Sequence, residues 1–445
     1  MEHSTVSPAP TETPAPWQPL RDRAVWGILI VYLGLAITYN YSMALGFAPD
    51  EQSRHYPYVK FLANHWRLPV GDPVAEGGYL DIHPPLYYAL LAPVYLAARG
   101  FGDLTALRAL RLTSPPLIFL ALLLWLPVLQ RACGGKRGPT LFAFALTAWW
   151  PHLFVPAGAL NNDVGLLVMS ALLLYLVTVR HWASRDYRSV ALWGVVAGLG
   201  TLMKTSALPP GLLLMGVALA WQHGRRCYAD PRFWGRLGTG VGVALLVCGS
   251  WLGRNYLLYG QLSYFPGMSP IPEGVGKLEA LFTGMVVPLV LRALNGLWAS
   301  VWAQMGWFPP VTEPFVYGGL RLVTLLAVAG WVGIAARCRK SKEECEEYLR
   351  PAFALPALGF GLLLAMAIYI STFIHMGVYQ GGRYLLPYLP GFTGFLTLGL
   401  RSIIPPRARL PLAVLFLLLF LALSPLAWFR LLTYWNPLVL SGKPA

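Results

Sequence analysis

Charged residues are scarce in this 445-residue sequence, at 12% of the total, whereas a soluble domain carries roughly 25%. Hydrophobic residues make up 56%, and the mean hydropathy is +0.54. Apolar runs of about 20 residues recur along almost the whole chain, which is typical of membrane-spanning helices. The sequence therefore excludes a soluble globular protein and predicts an all-α, polytopic transmembrane bundle.

Several signatures of other protein classes are missing. The five cysteines form no CxxC pair and have no metal-ligand spacing with histidine, so we expect neither disulfides nor a structural zinc. The chain contains no Walker or Rossmann glycine loop and no HExxH helix. It also has no GxSxG nucleophile turn. Chemistry that depends on a bound nucleotide is therefore not expected.

Acidic residues are outnumbered, with 19 Asp and Glu against 34 Lys and Arg, a formal net charge of +15. Most of this excess lies in short loops, a pattern that marks the cytoplasmic side of a plasma (inner) membrane protein rather than a nucleic-acid partner. Residues 1–23 are polar and Pro-rich and are predicted to be a disordered tail. The first apolar run follows and is too long for the core of a cleaved signal peptide, so it is predicted to remain as the first helix, with the N-terminus in the cytoplasm. The loops predicted to be cytoplasmic are 131–138, 181–188, 223–236, 337–350 and 401–409.

The apolar runs predict about 11–13 spans in a single transmembrane domain, residues 24–445, with a first outer loop at 47–83 and a long outer loop at 258–315. An odd number of crossings must separate loop 47–83 from loop 131–138, but only two are recognised there. Either the first is a partial or re-entrant helix, or the amphipathic piece at 103–112 contributes more. The candidate spans lie near 25–46, 84–98, 112–130, 139–157, 163–180, 189–204, 207–222, 237–257, 316–336, 352–374, 384–400 and 410–430.

The two outer loops contain amphipathic segments. Val59, Leu62 and Trp66 form a helical stripe in DEQSRHYPYVKFLANHWRL, which favours a helix lying in the membrane interface. A second interfacial or partly inserted element is predicted near 280–307. His55 and His65 are interpreted as surface histidines rather than ligands.

Polar residues gather on the predicted outer face and at span ends, where ionisable groups are costly unless they have a function. Each also has an ordinary explanation. The acids and amides could start or cap helices. The cations could extend their aliphatic side chains until the charged group reaches water. His83 could be an ordinary turn residue. The residues are Asp50, Glu51, His83, Asn161, Asn162, Asp163, Lys204, Arg254, Arg383 and Tyr384.

Taken together, these residue types suit transfer from a phosphate-linked lipid. A carboxylate acts as a general base on an acceptor hydroxyl, and Lys and Arg bind a phosphate before and after it leaves. A transporter or flippase for a lipid-linked or anionic solute is the alternative. Transporters often contain internal repeats and interrupted helices at the midplane, whereas this chain has no evident repeat and its charges lie at one face.

The order of the motifs over residues 25–400 resembles the GT-C class of glycosyltransferases, which use polyprenyl-phosphate-linked sugars. It is similar to bacterial members related to protein O-mannosyltransferases and lipid A aminoarabinose transferases. Because the final predicted span lies close to residue 445, we expect no large C-terminal outer domain of the kind that many relatives have, which leaves acceptor recognition open. The motifs are PDEQSRHYPYVKFLANH, HPPLYYALL, NND, GLGTLMKTSALPP, RNYLLYG, SVWAQMGWFP and QGGRYLLPYLP.

The resemblance implies a GT-C-like bundle roofed by interfacial helices, and a reaction that usually inverts the sugar. It implies that Asp50 is the catalytic carboxylate and that Glu51 positions the acceptor or a metal. Asp163, with Asn161 and Asn162, would support the same pocket.

Basic residues at span ends would bind the lipid phosphate: Lys204 and Arg383, with His83 and Arg254 as further candidates and Tyr384 beside them. The acceptor stays open between a glycan, a lipid and a protein. A divalent cation also stays open, because Asp50, Glu51, His55 and Asp163 are possible ligands of a hard cation.

Overall fold

The computed structural model describes residues 17–46, 48, 50–70, 83–180, 186–224, 227–262, 286–302, 314–341, 345–346, 348–373 and 382–440. These ranges are helical and contain no strand. The α-helices are α1 Arg23–Ser42, α2 Tyr56–His65, α3 Leu86–Ala98, α4 Asp103–Arg111, α5 Ser114–Ala132, α6 Arg137–Ala148, α7 Phe154–Ala157, α8 Asp163–Tyr175, α9 Tyr187–Met203, α10 Leu208–His223, α11 Pro231–Tyr259, α12 Val286–Trp302, α13 Pro314–Cys338, α14 Pro351–Phe373, α15 Leu389–Ile403 and α16 Pro406–Leu440.

Within the described ranges, 7 helical stretches are long and apolar enough to cross a membrane, or up to 8 if the bent pair Arg137–Ala148 and Pro151–Ala157 is one span. Other predicted spans form shorter helices: α3 has 13 residues, α9 17, α10 16 and α15 15. A 17-residue helix rises about 26 Å, somewhat less than the ~30 Å hydrocarbon core. The prediction of a polytopic all-α bundle is confirmed.

The segment between the first outer loop and residue 130 contains three helices, α3, α4 and α5. The predicted amphipathic piece forms α4, which buries Ala106, Leu107, Leu110 and Arg111. Together with α5 it forms one of the candidate spans, Asp103–Ala132. Residues 103–112 therefore contribute a packed helix, one of the two explanations that the sequence left open.

Close helix contacts in the bundle depend on small residues. A Cβ added at Gly194 of α9 would collide with the carbonyl oxygen of Gly240 in α11, and one at Gly330 of α13 with the carbonyl oxygen of Gly399 in α15. Membrane helices use such residues because lipid supplies no hydrophobic drive for association, so close backbone packing has to hold them together.

The second predicted outer-loop element contains α12, whose end is anchored in the bundle. The indole N–H of Trp150 donates to the carbonyl of Val301 at 2.6 Å, and its ring stacks on Trp302 at 4.7 Å. The Nδ1 of His152 lies 2.6 Å from the carbonyl oxygen of Ser300. These contacts fix residues 300–302, which in turn contact the candidate site.

Candidate active site

Asp50 lies between α1 and α2 in an unusual backbone conformation. Its φ of 60° and ψ of 5° are left-handed, a region that Asp tolerates better than most residues. Its carbonyl oxygen accepts hydrogen bonds from the amides of Arg54 and His55, both at 2.9 Å, while its side chain is 30% exposed. The backbone is thus held in place and the carboxylate remains accessible.

Four of the predicted residues meet in one charged cluster. The Nη2 of Arg383 lies 3.5 Å from Oδ2 of Asp50, and its Nε lies 4.0 Å from Oδ2 of Asp163. The ammonium of Lys204 pairs with Oδ1 of Asp163. These residues are separated by up to about 330 positions in the sequence, yet Arg383 bridges both acids.

Tyr384 joins the two principal cations of this cluster. The Nζ of Lys204 lies 4.5 Å from the centre of its ring, and the Cζ of Arg383 lies 5.2 Å from it. Cation–π contacts of this kind hold a charged group in place without neutralising it. Arg54 adds a third cation, with its Nε 3.7 Å from Oδ1 of Asp50.

The NND turn places Asp163 at the start of α8. The side-chain oxygen of Asn161 accepts from the amide of Asp163 at 2.8 Å, and the side-chain NH2 of Asn162 donates to the carbonyl of Met203 at 3.1 Å. Asn161 thus satisfies one of the free amides of the helix start, as expected for a cap. Asn162 ties the turn to the end of α9, next to Lys204.

Glu51 is not accessible to an acceptor in this structure. Its carboxylate and the Arg111 guanidinium are both 0% exposed and form a bidentate ion pair, with Nε to Oε1 at 2.6 Å. Glu51 also accepts from the amides of Leu160, at 2.9 Å, and Gly46, at 2.8 Å. Four donors therefore occupy its two oxygens, and the geometry supports a positioning role for Glu51 instead of contact with an acceptor or a metal.

Arg111, like Arg54, was not among the residues predicted from the sequence. Besides Glu51, its guanidinium donates to the carbonyls of Met43 and Ala44, each at 2.8 Å. It thereby connects α4 to the end of α1. Arg111 follows Arg108 by three residues in an amphipathic helix, so both would be expected on the polar, solvent-facing side. Nothing in the sequence therefore indicated that Arg111 is buried.

His55 was predicted to be a surface histidine, and this prediction is wrong. His55 is buried, with its Nδ1 2.8 Å from the hydroxyl of Tyr88 and its ring stacked on His83 at 5.2 Å. His65 is exposed, as predicted. Of the predicted stripe, Val59 and Leu62 are buried in the protein, whereas Trp66 lies beyond the end of α2 and is 73% exposed.

The His55–His83 pair lies close enough to the cations to feel their charge. Burial, followed by the charges of Lys204, Arg383 and Arg54, lowers the pKa of His55 well below its usual 6.5. Burial also lowers the pKa of His83. Both rings are therefore neutral near pH 7, and the Nε2 of His83 is buried with no hydrogen-bond partner among the described residues.

Gly382 explains how Arg383 is positioned. Its amide donates to the hydroxyl oxygen of Ser300 at 2.9 Å, and an added Cβ would lie 2.5 Å from the carbonyl oxygen of Ser300 and from the amide nitrogen of Val301. Only glycine allows the chain to pass this close to the end of α12. The adjacent Arg383 is thereby aimed at the two acids.

Arg254 has other partners. Its Nη2 donates to the carbonyl of Pro69 and its Nη1 to the side-chain oxygen of Asn255 at 3.1 Å. Its guanidinium lies over the ring of Trp251 at 5.2 Å. None of these partners belongs to the Asp50 cluster, so Arg254 is held at a separate position near the first outer loop.

A metal site does not form from the predicted ligands in the part of the chain that the structure describes. No three side chains of His, Cys, Asp or Glu converge there in a way that could hold a metal ion. Asp50 and Asp163 face cations, and Glu51 faces Arg111. The charged cluster is therefore better suited to an anion than to a divalent cation.

The fold matches that of the GT-C membrane glycosyltransferases. The structure of ArnT from Cupriavidus metallidurans bound to undecaprenyl phosphate is similar to this chain, with 14% sequence identity and a TM-score of 0.50. The matched region covers 86% of this chain and 61% of the ArnT chain. A second similar structure is the oligosaccharyltransferase AglB from Archaeoglobus fulgidus in complex with an inhibitory peptide and a dolichol-phosphate. It is 12% identical with a TM-score of 0.50, and the matched region covers 90% of this chain and 55% of the AglB chain. The chain thus spans less than two thirds of either protein. No protein-family model and no curated sequence match it.

Proposed function

We propose that the chain is an integral-membrane glycosyltransferase that moves a sugar from a polyprenyl-phosphate donor to an envelope acceptor on the outer face of the plasma membrane. The observation that carries this proposal is the bridge made by Arg383, which lies within ion-pair distance of an accessible carboxylate, Asp50, and of Asp163. A base and a phosphate-binding cation are then adjacent. The undecaprenyl phosphate and dolichol-phosphate named in the two similar structures support a donor of the same kind.

In this mechanism, Asp50 takes the proton from an acceptor hydroxyl while the oxygen of that hydroxyl attacks the anomeric carbon of the sugar. The bond between that carbon and the phosphate oxygen breaks, and the lipid phosphate leaves with one more negative charge than it had as a diester. Direct displacement inverts the anomeric centre. Lys204 and Arg383 stabilise the growing charge on the phosphate, which is the largest electrostatic change of the step.

The charge balance of the cluster suits such a donor. Among the described residues, Arg54, Lys204 and Arg383 face two carboxylates, Asp50 and Asp163. Cations thus outnumber acids in this described set, which suits the negative charge of a phosphodiester. Because the two acids already neutralise part of the positive charge, the phosphate has to compete with Asp163 for Lys204, and product release is correspondingly easier.

The other predicted residues have supporting roles in this proposal. Tyr384 holds the two principal cations, and His83 offers a buried ring nitrogen to the donor. Asn161 and Asn162 orient Asp163, while Glu51 fixes the backbone beside Asp50.

The test is transfer of sugar from a synthetic polyprenyl-phosphate donor in reconstituted proteoliposomes. Asp50→Asn should lower kcat by about 10²–10⁴-fold, and it should leave binding of the donor lipid largely intact. Asp103→Asn is the matched control, because Asp103 is an exposed acid that pairs with Lys60. Full activity of the Asp50 variant would refute the assignment of the base.

A second variant tests the phosphate site separately. Arg383→Gln should weaken donor binding, since the guanidinium is the group that spans both acids, while the thermal midpoint in detergent should fall little. Unchanged affinity for the donor would exclude Arg383 from the phosphate site. Movement of intact donor across the membrane without sugar transfer would favour the transporter interpretation.

A further inference from the structure

A cavity at the opposite end of the bundle is lined by cationic residues. It has a volume of about 460 Å³ and includes Arg131 at the end of α5, Thr178 just beyond α8 and Arg350 before α14. Thr178 lies about 22 Å along the helix axis from Asp163, at about 1.5 Å of rise per residue. The cavity is therefore distinct from the site around Asp50.

One guanidinium group is hydrogen-bonded to neighbouring backbone, and the other packs against it. The Nη1 of Arg131 donates to the carbonyl of Thr178 at 2.8 Å. The guanidinium of Arg350 packs over the turn after α5, where an added Cβ at Gly134 would lie 3.0 Å from its central carbon. Both charged side chains in the lining, Arg131 and Arg350, are cations.

The remaining lining groups favour an anion as well. Ala352 lines the cavity from the first turn of α14. The amides of Phe353 and Ala354 in that turn already donate to the carbonyl of Arg350, so the helix contributes its dipole to the cavity. The positive end of a helix dipole attracts negative charge to the same place. Gln130, Gly135 and Pro351 also line the cavity.

We propose that this cavity binds the phosphate headgroup of an anionic glycerophospholipid. Its volume lies in the range of small-molecule sites, roughly 300–1,000 Å³, which suits a glycerophosphate headgroup better than a single inorganic phosphate ion. Arg131, Gly135 and Arg350 of the lining belong to loops 131–138 and 337–350, which the sequence predicts to be cytoplasmic, so the cavity is expected to face the cytoplasmic leaflet. Anionic lipids are enriched there, and basic pockets between membrane helices are suited to them.

The experiment uses the full chain in neutral detergent and measures binding of fluorescent phosphatidylglycerol, with phosphatidylcholine of the same acyl chains as the comparison lipid. The wild type should bind phosphatidylglycerol preferentially, and Arg131→Gln/Arg350→Gln should weaken that binding at least about tenfold. The matched control is Arg188→Gln/Arg407→Gln, which removes two exposed cations at the same predicted side outside the cavity. The control should bind as the wild type does.

Two results would overturn the proposal. Equal loss of binding in the control variant would mean that the lipid responds to the general positive charge of this side. Competition by inorganic phosphate at concentrations equal to those of the lipid would assign the cavity to the free anion. Sugar transfer in the same preparations is a separate readout, since none of these four arginines contacts the Asp50 cluster.

Discussion

The buried pair of Glu51 and Arg111 gives a prediction whose size follows from its geometry. Glu51→Gln removes the negative charge and leaves the fully buried Arg111 guanidinium without an ionic partner. Breaking one side of a buried pair costs about 3–5 kcal/mol, because the remaining charge stays desolvated. We therefore expect the free energy of unfolding to fall by that amount.

The assay is an unfolding titration of the purified chain in mixed micelles with SDS. The double variant Glu51→Gln/Arg111→Met should be more stable than Glu51→Gln alone, because no unpaired charge remains. Asp103→Asn is the control. The side chains of Asp103 and its partner Lys60 are 61% and 43% exposed, and an exposed ion pair contributes only about 0–1 kcal/mol to stability. A Glu51→Gln variant as stable as the control would refute the reasoning.

Two further predictions concern the surroundings of the site. Gly382→Ala should raise the KM for the donor and lower stability by about 1–3 kcal/mol, because the new methyl group meets the backbone at Ser300. Gly361→Ala, where an added Cβ meets nothing within 4 Å, should leave the KM unchanged and should not lower stability, because alanine favours a helix more than glycine does; equal effects of the two substitutions would contradict this. Burial lowers the pKa of His55 and His83 in the folded state, so both rings stay neutral there. Below about pH 6.5 the same histidines bind protons in the unfolded state, which stabilises the unfolded state and lowers the free energy of unfolding as the pH falls towards the lowered pKa values. The thermal midpoint should therefore fall between pH 7.5 and 5, and His55→Gln should reduce that fall; an identical pH dependence in the variant would rule out the role of His55.

Much of the charged cluster could be predicted from the sequence, because ionisable residues at the ends of apolar runs are costly and therefore informative. Asp50, Asp163, Lys204 and Arg383 were selected on that basis and meet in one cluster. The prediction did not depend on knowing how the helices pack. It used the expectation that charges at one face of a bundle converge, together with the resemblance to the GT-C class, which implied the roles of these four residues.

Burial was the property that the sequence did not reveal. His55 and Arg111 lie in short amphipathic helices, where the polar residues of one turn normally face water. Whether they do depends on contacts from distant segments: Tyr88 covers His55, and Glu51 with the end of α1 covers Arg111. These partners are 33 and 60 positions away, so no local pattern indicates them.

The left-handed backbone of Asp50 restricts which acids an engineer is able to place there. Glutamate adopts a positive φ less readily than aspartate or asparagine, and such strain costs of order 1–3 kcal/mol. Its additional methylene would also shift the carboxylate relative to the guanidinium of Arg383. Asp50→Glu, ordinarily the mildest exchange for catalysis, is therefore more disruptive to the backbone at this position than the isosteric Asp50→Asn, and lengthening this side chain is a poor route to a broader acceptor range.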